Sequence, residues 1–195
     1  MNIGVLKYNS GNIRSVAFAL ERLGVDYTVT DNPELLRSAD KVIFPGVGEA
    51  CSAMRYLKDR KLDEVIVSLK QPVLGICLGM QLMCRHSEEG NTACLGIFDL
   101  PVKRFGKEDG LKVPQIGWNT LQDIENPLFA GIAENEYMYF VHGYYVEQGQ
   151  DRIASATYGL KYSAALNMDN FYAVQFHPEK SGKTGERLLR NFVNL

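Results

Sequence analysis

Hydrophobic and polar positions follow two different rhythms along this chain. In the first half, short apolar runs alternate with stretches whose apolar residues recur three and four apart. Ile3 to Leu6 predicts a strand. Asn9-Ser10-Gly11-Asn12 then supplies turn and N-cap chemistry, and Ile13, Val16, Ala17, Leu20 and Leu23 fall at helical spacing up to the stop at Gly24. Val25 to Thr30 predicts a second strand. Asp31-Asn32-Pro33 opens a short helix with Pro33 at its first position, and Lys41 to Phe44 predicts a third strand. A helical region from Cys51 to Leu69 leads into a fourth apolar run, Val73 to Ile76, followed by a helix-compatible segment, Leu78 to Met83.

Beyond the polar loop Glu88-Glu89-Gly90-Asn91 the rhythm changes. Leu95 to Ile97, Val102 to Phe105, Trp118 to Leu121, Tyr137 to Val146, Ile153 to Ala156, Ala164 to Asn167 and Phe171 to Phe176 are short strand candidates with little helix between them. Asn167-Met168-Asp169-Asn170 reads as a hairpin turn. A last helix spans about Lys183 to Asn194, with Leu188, Leu189, Phe192 and Val193 facing inward. The expected fold class is α/β: a mostly parallel central sheet flanked by helices, with a β-rich second half. The 195 residues suit one domain, 1–195, with no linker, repeat or low-complexity stretch.

Composition narrows the function classes. At 46% hydrophobic, 23% charged and net charge −2, the chain lacks the clustered Lys and Arg that bind nucleic acid. Cysteines at 51, 77, 84 and 94 have no C-x-x-C spacing, and histidines at 86, 142 and 177 form no H-x-x-x-H pair, so neither a metal, nor another cofactor, nor a disulfide framework is expected. Met1 leads into an apolar strand without a signal-like segment, and the most apolar window, 72 to 84, is too short to span a bilayer. The expectation is a cytoplasmic protein with no membrane contact.

The candidate chemistry gathers at Gly75-Ile76-Cys77-Leu78-Gly79, where a strand run turns sharply into a helix. Glycines two residues either side of a cysteine cost stability in both elements, and they fit a strained elbow that lifts a nucleophile clear of the sheet. A helix beginning there aims N–H groups at the sulfur, which favours thiolate and an oxyanion. Pro45-Gly46-Val47-Gly48 follows the third strand directly, at the sheet edge where ligands of α/β proteins sit, although an ordinary tight turn would also explain it. His177-Pro178-Glu179 closes the last strand run. Its imidazole can act as base to the thiol, with Glu179 as orienter, which gives a candidate Cys-His-Glu triad. His86 and His142 read first as hydrogen-bonded structural residues, and Cys51, Cys84 and Cys94 as packing.

Taken in order, Pro45-Gly-Val-Gly48, Gly75-Ile-Cys77-Leu-Gly79-Met-Gln81 and His177-Pro-Glu179 resemble the class I (triad) glutamine amidotransferases over essentially the whole chain. Gly11-Asn12-Ile13-Arg14-Ser15-Val16, Val113-Pro-Gln-Ile-Gly-Trp-Asn119, Tyr139-Phe-Val-His-Gly-Tyr144 and Lys180-Ser181 narrow the resemblance to the glutaminase subunits of imidazole glycerol phosphate synthases, which serve histidine biosynthesis. The resemblance implies that Cys77 attacks the side-chain amide of L-glutamine, that His177 is acid and then base, and that Glu179 orients His177. It implies an oxyanion hole from the N–H groups of Leu78 and Val47, the latter after a peptide flip within Gly46-Val47-Gly48. Gln81 and the backbone around His142, Gly143 and Tyr144 would hold the glutamine head group. Ammonia would pass to a (β/α)8-barrel cyclase subunit in a heterodimer, where imidazole glycerol phosphate and an aminoimidazole carboxamide ribonucleotide are made. Lys7, Asn9 and Gly143 depart from the family pattern; Gly143 removes a side-chain hydroxyl from the substrate side. Rival readings are the glutaminase component of aminodeoxychorismate or anthranilate synthesis, a catalytically silent module that only activates a partner, and a stand-alone hydrolase of γ-glutamyl compounds.

Overall fold

Alternation within the first strands already divides the core into two layers. In a computed structural model, which describes residues 1–9, 11–106 and 110–195, β1 (Asn2–Leu6), β3 (Lys41–Phe44) and β4 (Val73–Ile76) are almost entirely buried. Ile3, Val5, Ile43 and Leu74 belong to one apolar layer, with Leu20 of α1 (Ile13–Leu23) and Leu188 and Phe192 of α6 (Gly182–Asn194). Leu6, Val42, Phe44 and Val73 belong to the other, with Leu36 of α2 (Pro33–Ser38), Leu57 of α3 (Ala50–Asp59) and Met80 of α5 (Leu78–Met83). Successive strand residues point to opposite faces, so a sheet covered on both sides must be apolar throughout.

The large sheet runs β2-β1-β3-β4-β13-β12-β10-β7-β5-β6, with β11 (Arg152–Tyr158) paired to β12 (Leu160–Met168). β2 (Asp26–Thr30), β1, β3, β4 and β13 (Phe171–Val174) are mutually parallel. From β12 onward most pairings are antiparallel, through β10 (Tyr144–Val146) and β7 (Phe98–Arg104); β5 (Cys84–Ser87) pairs parallel with β7 and antiparallel with β6 (Thr92–Ala93). β8 (Gln115–Thr120) and β9 (Tyr137–His142) form a separate antiparallel ribbon. The mixed α/β architecture agrees with the fold class expected from the sequence.

Local chemistry explains most boundaries. Asn32 caps α2, its side chain accepting from the Glu34 N–H at 2.8 Å, with Pro33 in the first turn. Four expectations change. The helical region over 51–69 is two helices, α3 and α4 (Leu62–Ser68), separated at Lys61, whose φ of 55° no continuous helix accepts. Leu95 to Ile97 is not a strand: its N–H groups reach back to the carbonyls of Leu82, Cys84 and Met83 at 2.9 Å each, fastening a loop beneath α5. Tyr137 to Val146 splits at Gly143 into β9 and β10, which belong to different sheets. Asn12 stands at the N-cap of α1 but its side chain makes no cap bond; Ser10, in the same expected turn, lies outside the described residues. Among the described residues no helix is long and apolar enough to cross a membrane.

Candidate active site

Register brings the sequence-predicted site residues together. Ile76 of β4 lies opposite Val174 of β13, and the Cys77 N–H donates to the Val174 carbonyl at 2.8 Å, so both chains leave the sheet at one carboxyl edge. Cys77 follows on one side; Gln175, Phe176 and His177 follow on the other. This is where open α/β sheets place ligands. Cys77 itself has φ 52° and ψ −105°, a strained backbone for a non-glycine residue. The flanking glycines permit that turn: a Cβ on Gly79 would overlap the Phe44 carbonyl oxygen, and one on Gly75 would lie 2.9 Å from Met83 Sδ. α5 can start beside the cysteine only because those positions lack side chains.

His177 is fully buried, and its Nδ1 lies 2.8 Å from Glu179 Oε1. Among the described residues its Nε2 has no hydrogen-bond partner, nor does Glu179 Oε2. Burial disfavours a charged imidazole, but the Cys77 sulfur and the Glu179 carboxylate outweigh it and push the His177 pKa up to about 10. The His177 backbone is pinned as well: its N–H donates to the Tyr139 carbonyl at 2.8 Å, while Ser181 Oγ donates to the His177 carbonyl at 2.7 Å and accepts from the Tyr139 N–H at 2.9 Å.

Beside the sulfur opens a cavity of about 230 Å³, smaller than the ~300–1,000 Å³ of drug-sized sites and suited to a small metabolite. Val47, Gly48, Cys77, Leu78, Gln81, His142, Gly143 and Tyr144 are among its lining residues. Gly46, His177 and Glu179 are not on its surface. The Leu78 N–H donates to the Gly46 carbonyl at 3.2 Å, so in this conformation it is not turned to the cavity. His142 is held neutral by burial, its pKa lowered to about 4. Its Nδ1 lies 2.7 Å from the Tyr144 carbonyl and its ring is packed among Phe105, Phe140 and Tyr162. His86 is a hydrogen-bonded residue as expected, with Nε2 2.8 Å from Asn91 Oδ1, and the four cysteines are free thiols.

Three further residues join the site that the sequence did not mark for it. Asn12 Nδ2 donates to Glu179 Oε1 and lies 3.3 Å from His177 Nδ1. Gln175, fully buried, bridges Cys77 and Gln81. Glu89, read as part of a polar loop, is the one negatively charged side chain among the described cavity-lining residues. Its Oε2 accepts from the Ala50 N–H at 2.8 Å, and burial raises its pKa.

The family model for glutamine amidotransferase class-I matches residues 5–195. A protein of Bacteroides thetaiotaomicron called imidazole glycerol phosphate synthase subunit HisH is 60% identical over 198 residues, covering 100% of both chains. The protein of that name from Haemophilus influenzae is 48% identical, covering 99% of this chain and 97% of its own. Among solved structures, one described as a glutamine amidotransferase superposes with a TM-score of 0.76 at 20% identity, covering 98% of this chain and 97% of the other.

Proposed function

The chain belongs to the class I glutamine amidotransferases, in the group of imidazole glycerol phosphate synthase subunit HisH, and from that premise we propose that Cys77, His177 and Glu179 carry out its glutaminase reaction. The observation that carries this reading is the elbow at Cys77 set against a buried, Glu179-held imidazole whose pKa is raised. Paired with the Cys77 thiolate and the Glu179 carboxylate, that imidazole carries the proton. The Cys77 thiolate attacks the side-chain carbonyl carbon of L-glutamine, the C–N bond breaks, and His177 gives its proton to the departing ammonia. The now neutral imidazole takes a proton from water, which hydrolyses the glutamyl thioester to glutamate and frees the thiolate.

On this reading the oxyanion site is closed, because the Leu78 N–H is taken by the Gly46 carbonyl. One peptide unit accounts for that closure: the Gly46 oxygen that occupies the Leu78 N–H belongs to the same amide as the Val47 N–H. Turning that peptide over releases Leu78 and swings the Val47 N–H toward the cavity, which would make turnover conditional on whatever drives the flip. Gln81, Gly48 and the backbone of His142, Gly143 and Tyr144 then face the glutamine head group, and Glu89 supplies the negative charge for its α-ammonium. Without a hydroxyl at Gly143, contacts there come from the backbone.

Ammonia is delivered to a cyclase subunit, for which a (β/α)8 barrel in a cytoplasmic heterodimer is the proposed architecture. The β8–β9 ribbon supports a partner surface, because Ile116 (64%), Trp118 (56%) and Tyr137 (59%) are large apolar side chains left exposed on it. Intact-mass analysis of acid-quenched enzyme during turnover tests the chemistry. A glutamyl adduct on Cys77, absent from Cys77→Ala, is expected; turnover without any adduct would overturn the covalent route.

A further inference from the structure

A backbone carbonyl accepts hydrogen bonds and never donates them. The Tyr144 carbonyl, 3.1 Å from Gln81 Nε2, therefore fixes which end of the Gln81 amide faces it. The same Nε2 lies 3.0 Å from Gln175 Oε1, so the oxygen end of Gln175 is in turn committed to Gln81. What remains is the Gln175 amide nitrogen, 3.6 Å from Cys77 Sγ. Reversing Gln175 would set two amide nitrogens against each other and an oxygen against the sulfur. Orientation thus passes from a carbonyl through two carboxamides to the nucleophile.

A second polar neighbour of the sulfur is of opposite character. Cys77 Sγ lies 3.6 Å from the Val141 carbonyl oxygen, which suits a thiol that donates its proton but repels a thiolate. Gln175 is the neutral donor that offsets it. The side chain is fully buried, and its backbone N–H donates to the Ala164 carbonyl at 2.8 Å, so it is ordered before substrate arrives.

We infer that Gln175 is a further catalytic residue, a fixed N–H donor to the Cys77 thiolate that also ties the nucleophile to Gln81 in the substrate cavity. The inference rests on the reading of Cys77 as nucleophile. Its donor bond is strongest when the sulfur is charged, which is before attack and again when the thioester breaks down and the sulfur leaves. The titratable groups around the sulfur are His177 with Glu179 behind it, His142 on β9, and Glu89 across the cavity; none changes when Gln175 is substituted.

The test is the pH dependence of Cys77 alkylation by iodoacetamide in the full chain, read at the Cys77 peptide by mass spectrometry, for wild type, Gln175→Leu and Gln175→Glu. Loss of a hydrogen bond to a charged group moves the midpoint up by about one pH unit in Gln175→Leu. It moves further in Gln175→Glu, which preserves shape while placing a carboxylate at the sulfur. Circular dichroism reports folding, and if Gln175→Leu does not fold, Gln175→Met, of similar length and equally without an N–H donor, takes its place. A midpoint unchanged or lowered in the folded variant that lacks the N–H donor overturns the inference. Alkylation requires no glutamine, so an unmoved profile with the glutamyl adduct intact in wild type removes only the role of Gln175, whereas a missing adduct strikes the nucleophile itself.

Discussion

Asn12 sits where a helix cap is expected and spends its amide on the Glu179 carboxylate, 167 residues along the chain. The sequence offered two local uses for Asn12, turn and cap, and nothing in local spacing could reveal a third on so distant a partner. Cys77 was legible for the opposite reason: its meaning lies in Gly75 and Gly79, two residues either side. Asn12→Ala leaves Glu179 and His177 in place but less firmly oriented. The expected loss in kcat is about tenfold, below the ~10²–10⁴ that general acid–base catalysis supplies, with KM nearly unchanged. Steady-state kinetics checks it. His142 yields a second expectation at this scale. The folded protein holds its ring neutral down to about pH 4, whereas the unfolded chain takes up the proton near pH 6.5. Its contribution to stability is thus complete above about pH 6.5 and is lost as pH falls toward 4, by about 3 kcal/mol. Urea unfolding at a series of pH values should show this acid loss in wild type and a flatter profile in His142→Gln.

Elements are where the sequence pattern reads well and where its limit shows. The first parallel strands and α1, α2 and α5 follow directly from apolar runs, caps and glycine stops, because each is decided by residues within a turn or two. The run from Tyr137 to Val146 is different: its residues are strand-like throughout, yet β9 pairs with β8 and β10 with β7 and β12. Periodicity reports that a strand forms, not which strand it joins, and only the break at Gly143 marks the change of sheet. That change matters, because it turns the backbone at Gly143 and Tyr144 toward the cavity. The junction of α5 with β3 is tight in a way glycine alone permits. Gly79→Ala drives a methyl group into the Phe44 carbonyl, and overpacking of this kind costs about 1–3 kcal/mol. Thermal unfolding should show the loss, and activity should fall with it because Cys77 rides on the same junction.

Over the whole molecule, the ribbon that covers His177 also carries the exposed apolar side chains. Tyr139 of β9 accepts the His177 N–H and is braced by Ser181, while Trp118 of β8 packs edge-on against Tyr139 with ring centroids 5.7 Å apart. A partner seated on that ribbon would bear directly on the segment that holds His177. Trp118→Ala should weaken assembly with the cyclase subunit, measured by titration calorimetry, with little change in the thermal stability of the isolated chain. The most direct test of a partner-gated Cys77 glutaminase is glutamate release from glutamine by the chain alone and with the cyclase subunit plus its ribonucleotide substrate, in wild type and Cys77→Ala. Turnover should rise strongly with partner and ligand and vanish in Cys77→Ala. Release that ignores the partner, or that survives the loss of Cys77, would contradict the assignment.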